Sequence, residues 1–323
     1  MKKKRIKVGV IGVGHLGEYH TQKYIAMPSV DLIGIMDINP ERAREIGRKY
    51  NTNVYERHQE LLNMVDAVSL AVPTEMHFQV ARDILLSGVN LLIEKPITYS
   101  LEDAKELITI AKEKNLILQV GHVERFNPAV VKMESLLNNP IFIESHRMNL
   151  FTKRGTGVDV TLDLMIHDLD IILHVVPSDV KEVHATGISV VTDKTDIANV
   201  RMIFENGTVA NLTASRVSNR NLRKIRIFQP DAYISVDCLK REISVTSLLN
   251  ENNDPDTFPQ ITSNKMKYPD SDPLADEISS FVDAVVNGSK PVVSGQDGKK
   301  ALRVALNIID QIETGCRGFK AIC

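Results

Sequence analysis

A stretch near the middle of the chain carries residue types suited to acid–base chemistry: DVTLDLMIHDLDIILHVV at positions 159–176. Its apolar residues recur at helical spacing, which places Asp163 and His167 as neighbours on the other face of a predicted helix. A carboxylate next to a histidine fixes one tautomer of the ring and supports its positive form, as a general acid or base requires. The same pattern also fits a solvated helix face, or a metal held by Asp and His, although no third ligand has a recognisable spacing.

A lysine suited to the same chemistry lies in Glu94-Lys95-Pro96, which ends the apolar run VNLLI. A lysine at the end of a strand can hydrogen-bond a substrate oxygen and stabilise developing alkoxide charge. Taken alone, the tripeptide fits a surface Glu-Lys pair before a helix better. Histidine, with an ordinary pKa of about 6.5, suits a base near neutral pH better than lysine, at about 10.4. We therefore expect His167 to be the base and Lys95 to be an orienting cation.

A glycine-rich turn, GVGHLG at positions 12–17, follows the first apolar run and opens a helical pattern. Glycines permit the tight turn and the close approach of the backbone to a pyrophosphate, which the helix N-terminus attracts. Asp37 lies 20 residues beyond Gly17, at the end of the second predicted strand, where an acid binds the ribose 2′-hydroxyl of NAD. That carboxylate repels the 2′-phosphate of NADP, and no arginine directly follows it. An ordinary glycine turn with a surface Asp is the alternative, but the ordered context predicts NAD as cofactor, ahead of NADP.

The elements that must position these residues change character near position 121. Before it, short apolar strands alternate with amphipathic helices, which predicts a doubly wound parallel sheet whose ligands bind beyond the carboxyl ends of its strands. The predicted strands are 4–12, 30–37, 65–72, one within 89–96, and 116–120, and the predicted helices are 15–27, 39–50, 74–87 and 100–114. We therefore expect an α/β fold with an N-terminal Rossmann domain at 1–121.

Strand-like segments dominate after position 121, with few helices between them. They are 141–151, 180–191, 197–217 and 222–245, with Asn206-Gly207 as a predicted hairpin turn. We expect residues 250–273 to form a polar excursion over the surface, and helices at 274–287 and 297–314 to close the chain. The second domain, 122–323, is therefore predicted to be α+β with a largely antiparallel sheet.

Composition excludes several classes of protein. The 39 Lys and Arg against 41 Asp and Glu leave a net charge of −2, which argues against a nucleic-acid-binding protein. The 43% hydrophobic share is ordinary for a globular protein, and no uncharged run is long enough to suggest a membrane span. The opening MKKKRIKVGV lacks a signal-peptide cleavage site, and the 3 cysteines suit a reducing compartment. We expect a cytoplasmic protein.

Five motifs in order resemble the Gfo/Idh/MocA (glucose–fructose oxidoreductase/inositol dehydrogenase) family: GVIGVGHLG, AVPT followed by His77, EKPIT, GHVERFNP and DLMIHDLD. The resemblance implies a Rossmann domain followed by a domain with an open, mostly antiparallel sheet, which binds substrate and forms a homodimer or homotetramer. It also implies oxidation or reduction at a sugar or cyclitol carbon. The family's catalytic residues fall on Lys95, Asp163 and His167. Within the family, GHVERFNPAV and DLMIHDLDIIL most resemble dehydrogenases acting at C3 of UDP-linked N-acetylamino sugars.

One stretch departs from the family's pattern. The family commonly has a glycine-rich stretch before the catalytic helix, and here it reads RGTGVDV. The shape of the sugar pocket therefore does not follow from the resemblance.

The strand ends and the resemblance together define the candidate binding residues. The cofactor set is Gly12, Gly14, His15, Leu16, Gly17, Asp37, Pro73, Thr74, His77, Glu94 and Lys95. Arg147, Lys153 and Arg154 form a small basic group that either docks a sugar diphosphate or belongs to an ordinary exposed loop. Arg125 and Asn127 either shape the substrate pocket or only fix the start of a helix. No metal is expected.

Three functions are compatible with these motifs. The first is an NAD-dependent dehydrogenase of a nucleotide-linked amino sugar. The second is the same chemistry on a free sugar, inositol or another small polyol, which would not require the basic group. The third is a non-catalytic dinucleotide-binding sensor, which needs the glycines but not Lys95, Asp163 and His167 together.

Overall fold

The chain divides into two compact units in its computed structural model, which describes residues 5–152, 155–248 and 260–320. The first unit comprises Met1–Val123 and Asp272–Leu302, and the second comprises Glu124–Ser271 and Arg303–Cys323. The predicted division at 121/122 therefore assigned one segment wrongly. Asp272–Leu302 joins the first unit because Ile278, Phe281 and Val282 pack into its apolar core.

A parallel sheet forms the centre of the first unit, in the strand order β3-β2-β1-β4-β5-β6. Its strands are β1 (Ile6–Ile11), β2 (Val30–Met36), β3 (Asn53–Tyr55), β4 (Ala67–Leu70), β5 (Asn90–Glu94) and β6 (Leu118–Gly121). Every residue of β4 is buried, as its continuous apolar run predicts for a strand covered on both faces. The predicted Rossmann topology is confirmed. The short strand β3 was not predicted, since it has three residues and none of them is buried.

Helices cover this sheet, and further helices belong to the second unit. They are α1 (His15–Ala26), α2 (Pro40–Tyr50), α3 (His58–Leu62), α4 (His77–Leu86), α5 (Leu101–Glu113), α6 (Pro128–Glu134), α7 (Ile166–Val175), α8 (Pro273–Asn287) and α9 (Gly295–Lys320). Among the described residues, none of the helices is long and apolar enough to cross a membrane.

The second unit is built on a larger sheet with the strand order β14-β13-β12-β11-β7-β10-β9-β8. The strands are β7 (Phe142–Leu150), β8 (Val180–Ile188), β9 (Ile197–Phe204), β10 (Val209–Ser218), β11 (Leu222–Gln229), β12 (Ala232–Asp237), β13 (Glu242–Leu248) and β14 (Ile261–Lys267). Within the described segments, β7 and β10 pair in parallel and the other neighbours are antiparallel, which confirms the predicted mostly antiparallel sheet.

One prediction for this sheet is confirmed at a turn, and another is corrected at an edge strand. Gly207 has a φ of +87° in the turn between β9 and β10, as the Asn-Gly signal predicts. The interpretation of 250–273 as a surface excursion was wrong in part. Residues Ile261–Lys267 pair with β13 as an edge strand, and their polar, lysine-containing sequence suits an exposed edge.

The predicted helix at 159–176 forms, but it begins with a π-helical turn. Thr161–Met165 is π-helical, and the backbone N–H of Ile166 donates to the carbonyl of Thr161, five residues back. The predicted apolar stripe is buried: Leu162, Met165, Ile166, Leu169, Ile172, Leu173 and Val176. The opposite stripe is not a simple solvated face, because Asp170 is also buried.

Candidate active site

The glycine turn between β1 and α1 has the shape that a dinucleotide needs. Gly12 has a φ of +81°, and a Cβ on Gly17 would lie 1.8 Å from the carbonyl oxygen of Gly12. These two positions therefore exclude other residues for reasons of backbone packing. A Cβ on Gly14 would meet nothing within 4 Å, so the second glycine leaves open space at the start of α1. A pyrophosphate can approach the backbone there, and the residues fit NAD.

Asp37, directly after β2, supports this turn with its carboxylate. Its Oδ2 accepts a hydrogen bond from the backbone N–H of Val13 at 2.7 Å, and its Oδ1 accepts from that of Asn39 at 2.9 Å. The guanidinium of Arg42 is already engaged by the Val13 carbonyl and by Glu18. The turn therefore presents the Asp37 carboxylate, and the Arg42 guanidinium is engaged elsewhere. This arrangement suits the ribose of NAD better than the 2′-phosphate of NADP.

His77, one of the predicted cofactor residues, lies between two backbone carbonyls. Its Nδ1 lies 2.9 Å from the Pro96 carbonyl and its Nε2 lies 3.0 Å from the Val72 carbonyl, and the side chain is 1% exposed. Burial lowers the pKa of His77. The ring thus bridges the segments that follow β4 and β5 and does not offer a nitrogen to a ligand. His15 and Leu16 are exposed at the start of α1, and Pro73 and Thr74 follow β4.

Glu94 is the last residue of β5, and Lys95 follows it. Both lie at the same edge of the sheet as the glycine turn. The Glu94 carboxylate is buried, with its Oε1 3.0 Å from Nε2 of His20. Burial alone raises the pKa of Glu94, but the His20 hydrogen bond and the positive charge of Lys95 outweigh it and hold that pKa below its ordinary value. The carboxylate therefore pairs with His20, and its role as a cofactor contact stays a prediction. Lys95 is half-buried, and the Lys95–Pro96 peptide bond is cis.

The candidate acid–base residues belong to the second unit. Asp163 lies in the π-helical turn and His167 lies in the first turn of α7, and both side chains are half-buried. A π-helical turn inserted in an α-helix is frequent at functional sites. The structure thus places Asp163 and His167 on one continuous helical segment, as the spacing predicts.

The predicted substrate residues are placed differently from the prediction. Arg147 is 2% exposed on β7, donates to Asp168 at 2.7 Å and 3.0 Å, and donates to Glu124 at 2.9 Å. Its inclusion in an exposed basic loop was therefore wrong, because alternation along β7 turns it inward beside Ile143 and its donors bind carboxylates. Lys153 and Arg154 lie outside the described residues.

Arg125 and Asn127 also act inside the second unit. Arg125 is 4% exposed, and its Nη1 lies 3.6 Å from Oδ1 of Asp170. The Asn127 side chain caps α6 by accepting from the backbone N–H of Ala129, and its Nδ2 donates to the Cys238 carbonyl. For Asn127 this is the second of the two predicted roles, fixing the start of a helix.

Sequence reasoning missed the residues that hold the candidate catalytic helix. Asp168 adjoins His167 and pairs with Arg147, and Arg216 on β10 binds the segment that precedes the helix. One signal was available, because an Arg in the alternating pattern IESHRM predicts a charge on the inward face of a strand, which requires buried partners. Among the described residues, no group of three or more His, Cys, Asp or Glu side chains could hold a metal ion.

Comparison with known proteins identifies both parts of the chain. Residues 6–122 match the family model described as oxidoreductase family, NAD-binding Rossmann fold, and residues 129–234 match the GFO/IDH/MocA C-terminal domain. UDP-N-acetylglucosamine 3-dehydrogenase of Acidithiobacillus ferrooxidans is 38% identical over 312 residues, which cover 95% of this chain and 97% of that protein. Myo-inositol 2-dehydrogenase of Thermotoga maritima is 27% identical over 317 residues, covering 92% and 93%.

Solved structures show the same architecture. The structure of the Acidithiobacillus ferrooxidans enzyme matches with a TM-score of 0.90 at 38% identity, covering 96% of this chain and 98% of that one. Levoglucosan dehydrogenase in complex with NADH and levoglucosan matches with a TM-score of 0.84 at 19% identity, over 96% and 98% of the two chains, and shares the fold.

Proposed function

Because this chain belongs to the GFO/IDH/MocA family of NAD-binding oxidoreductases, we propose that it oxidises the C3 hydroxyl of a UDP-linked N-acetylamino sugar, such as UDP-N-acetylglucosamine or its uronic acid. The observation that carries this proposal is the 38% identity to a UDP-N-acetylglucosamine 3-dehydrogenase over 95% of the chain. The glycine turn and Asp37 fit the cofactor, and Lys95, Asp163 and His167 supply the residue types that the reaction needs.

The roles of the three residues follow from their chemistry. NAD, held by the glycine turn and Asp37, would supply the hydride acceptor for this reaction. His167 takes the proton of the sugar hydroxyl as the C–H bond of the same carbon breaks, so that the alcohol becomes a ketone. Asp163 stabilises the imidazolium that forms, and Lys95 hydrogen-bonds the substrate oxygen while negative charge develops on it. The substrate therefore loses one proton, to His167, and one hydride, which bound NAD would accept.

The diphosphate of such a substrate does not bind Arg147 in this proposal, because Asp168 and Glu124 engage that guanidinium. Lys153 and Arg154 remain the proposed diphosphate contacts, since they immediately precede the segment that leads to Asp163.

We also propose that the chain forms a homodimer or homotetramer through the sheet of the second unit. Aromatic rings line the sheet face turned away from Arg147: Phe142 and Phe228 have centroids 5.5 Å apart, and Phe228 and Tyr233 have centroids 5.0 Å apart. Phe228 is 37% exposed, and an exposed aromatic cluster on a sheet face is typical of an interface. A cytoplasmic location is proposed with it, supported by the free thiol of Cys238.

Absorbance at the NADH band tests the function directly. Purified protein with NAD is assayed against UDP-N-acetylglucosamine, its uronic acid, the free sugars and inositols, with a 2-oxoacid aminotransferase system to draw off the keto-sugar. We expect NADH with a UDP-sugar and none with free sugars. A signal only with a free polyol would replace the substrate and keep the chemistry, whereas NAD binding without turnover on any substrate would leave a dinucleotide sensor.

A further inference from the structure

A buried arginine holds the segment that leads into the candidate catalytic helix. Arg216, near the end of β10, is 5% exposed. Its Nη1 donates to the carbonyl of Gly155 at 2.8 Å, and its Nη2 donates to the carbonyl of Val158 at 2.5 Å. One guanidinium therefore fixes two backbone groups of a turn 58 to 61 residues away in sequence.

That turn lies directly against Asp163. Gly155 has a φ of +75°, and a Cβ built on it would lie 2.9 Å from Oδ2 of Asp163. The carboxylate therefore rests on the backbone of Gly155, at a distance that leaves no room for a side chain. Any movement of the turn alters the support of the Asp163 carboxylate.

Arg216 itself is held by the turn between β8 and β9. Its backbone N–H donates to the Asp196 carbonyl at 2.9 Å, and its Nε lies 3.9 Å from Oδ1 of Asp196. Oδ2 of Asp196 accepts from the backbone N–H groups of Val190, Val191 and Thr192. The guanidinium therefore extends from an anchored position, which is what a positioning group requires.

We propose that Arg216 is a positioning residue for Asp163, acting through Gly155 and Val158. This inference rests on the proposed function, in which Asp163 stabilises the imidazolium of His167. Loss of either carbonyl contact releases the turn, and the carboxylate then samples positions that support His167 less well. Because Arg216 acts on the chemical step, its loss reduces kcat and leaves the KM for NAD unchanged.

The test compares Arg216→Lys with Arg201→Lys. Lysine keeps the charge at 216 but cannot reach both carbonyls in a planar fork, whereas Arg201 is exposed on β9 and contacts Asn211. We expect Arg216→Lys to lower kcat by about 10-fold to 100-fold with the KM for NAD within about 2-fold, and Arg201→Lys to change neither. A normal kcat for a folded Arg216→Lys protein overturns the proposal.

A double-mutant cycle separates positioning from general damage. In an Asp163→Asn background, Arg216→Lys should cost less than about 2-fold in kcat, because the charge it positions is gone. An additive loss of kcat in that background overturns the proposal. If Arg216→Lys does not fold, Gly155→Ala takes its place in the same cycle, since its Cβ would lie 2.9 Å from Oδ2 of Asp163 and displace the carboxylate directly. If Asp163→Asn alone keeps full activity, the role of Asp163 in the proposed function fails, which is a different result from additivity.

Discussion

The glycine turn of the first unit and the proposed catalytic helix of the second unit are held in place by different means. Gly12, Gly14 and Gly17 lie within one turn, and the carboxylate that supports them, Asp37, is 24 residues from its partner Val13. The proposed catalytic helix depends instead on arginines from two strands, Arg147 and Arg216. Backbone groups can form a binding site from a short sequence motif. Side chains that carry out acid–base chemistry must instead be positioned by strands that are distant in the sequence.

Charged side chains are also buried to different extents in the two regions. Around the glycine turn, the pair between Arg42 and Glu18 is partly exposed, although His20 and Glu94 form a buried pair in the same unit. In the second unit, Arg147 is buried between two carboxylates. Burial opposes the charge of Glu124, yet Arg147 and Arg223 hold the pKa of Glu124 below its ordinary value. Buried charges that support each other tolerate the loss of a partner poorly, so the second unit is expected to be the more fragile region.

Replacing the proposed base, His167, tests most strongly whether turnover depends on the second unit and NAD affinity on the first. His167→Ala should lower kcat by about 10²-fold to 10⁴-fold, because proton transfer then lacks its acceptor. The affinity for NAD should be unchanged, since the proposed cofactor residues belong to the first unit. His174→Ala, at the exposed end of the same helix, is the matched control and should keep kcat. Near-normal turnover of His167→Ala, measured by NADH absorbance, would remove His167 from its role.

Removing one buried arginine tests the difference in charge. Arg147→Met leaves Asp168 buried without this cation and leaves Glu124 with Arg223 at 3.5 Å, and we expect the free energy of unfolding to fall by about 3–5 kcal/mol. Arg82→Met breaks the exposed pair with Glu106 in the first unit and should cost less than about 1 kcal/mol. Urea unfolding of both variants measures the contrast. Equal losses would mean that the two regions do not differ in this respect.

How much the sequence could predict follows the same division. The Rossmann strands and the glycine turn were predictable because each is encoded by a few consecutive residues. The edge strand β14 was not, because its sequence, ITSNKMK, has neither an apolar run nor a clean alternation. The role of Arg147 was misjudged because its sequence neighbourhood contains Lys153 and Arg154, whereas its partners Glu124 and Asp168 become neighbours only when β7 packs beneath the helix. Arg216 shows no sequence signal, since its acceptors are backbone carbonyls.

Glycine substitutions distinguish packing from ligand space within the turn. Gly17→Ala forces its Cβ to 1.8 Å from the Gly12 carbonyl, so the free energy of unfolding should fall by about 1–3 kcal/mol. Gly14→Ala meets nothing within 4 Å and should unfold like the unchanged protein. It should nevertheless bind NAD about 10-fold more weakly, because its Cβ fills the space that the pyrophosphate needs. Calorimetric titration with NAD measures this loss, and unaltered affinity of Gly14→Ala would place the dinucleotide elsewhere.

Acid unfolding provides the finest contrast, between a carboxylate held by backbone groups and one held by side chains. Asp196 in the second unit is fully buried, and although burial raises its pKa, the Thr192 hydroxyl and three backbone N–H groups lower it from 3.8 to about 2. Glu18 in the first unit is 21% exposed, and Lys49 and Arg42 lower its pKa from 4.5 to about 2. Both carboxylates therefore stabilise the folded state above their ordinary pKa values, and this stabilisation is lost as the pH falls towards 2.

Salt should separate the two carboxylates. Asp196→Asn should cost about 2 kcal/mol at pH 7, in 0.05 M and in 1 M NaCl alike, because backbone dipoles on a buried group are not screened. Glu18→Gln should cost less than about 1 kcal/mol at low salt and less still at 1 M, because its partners are surface cations. Urea unfolding at pH 7 and pH 3 measures both differences, and each should shrink at the lower pH. A salt-sensitive Asp196 would mean that its turn is open to water, and the anchor proposed for Arg216 would then be weaker than its hydrogen bonds imply.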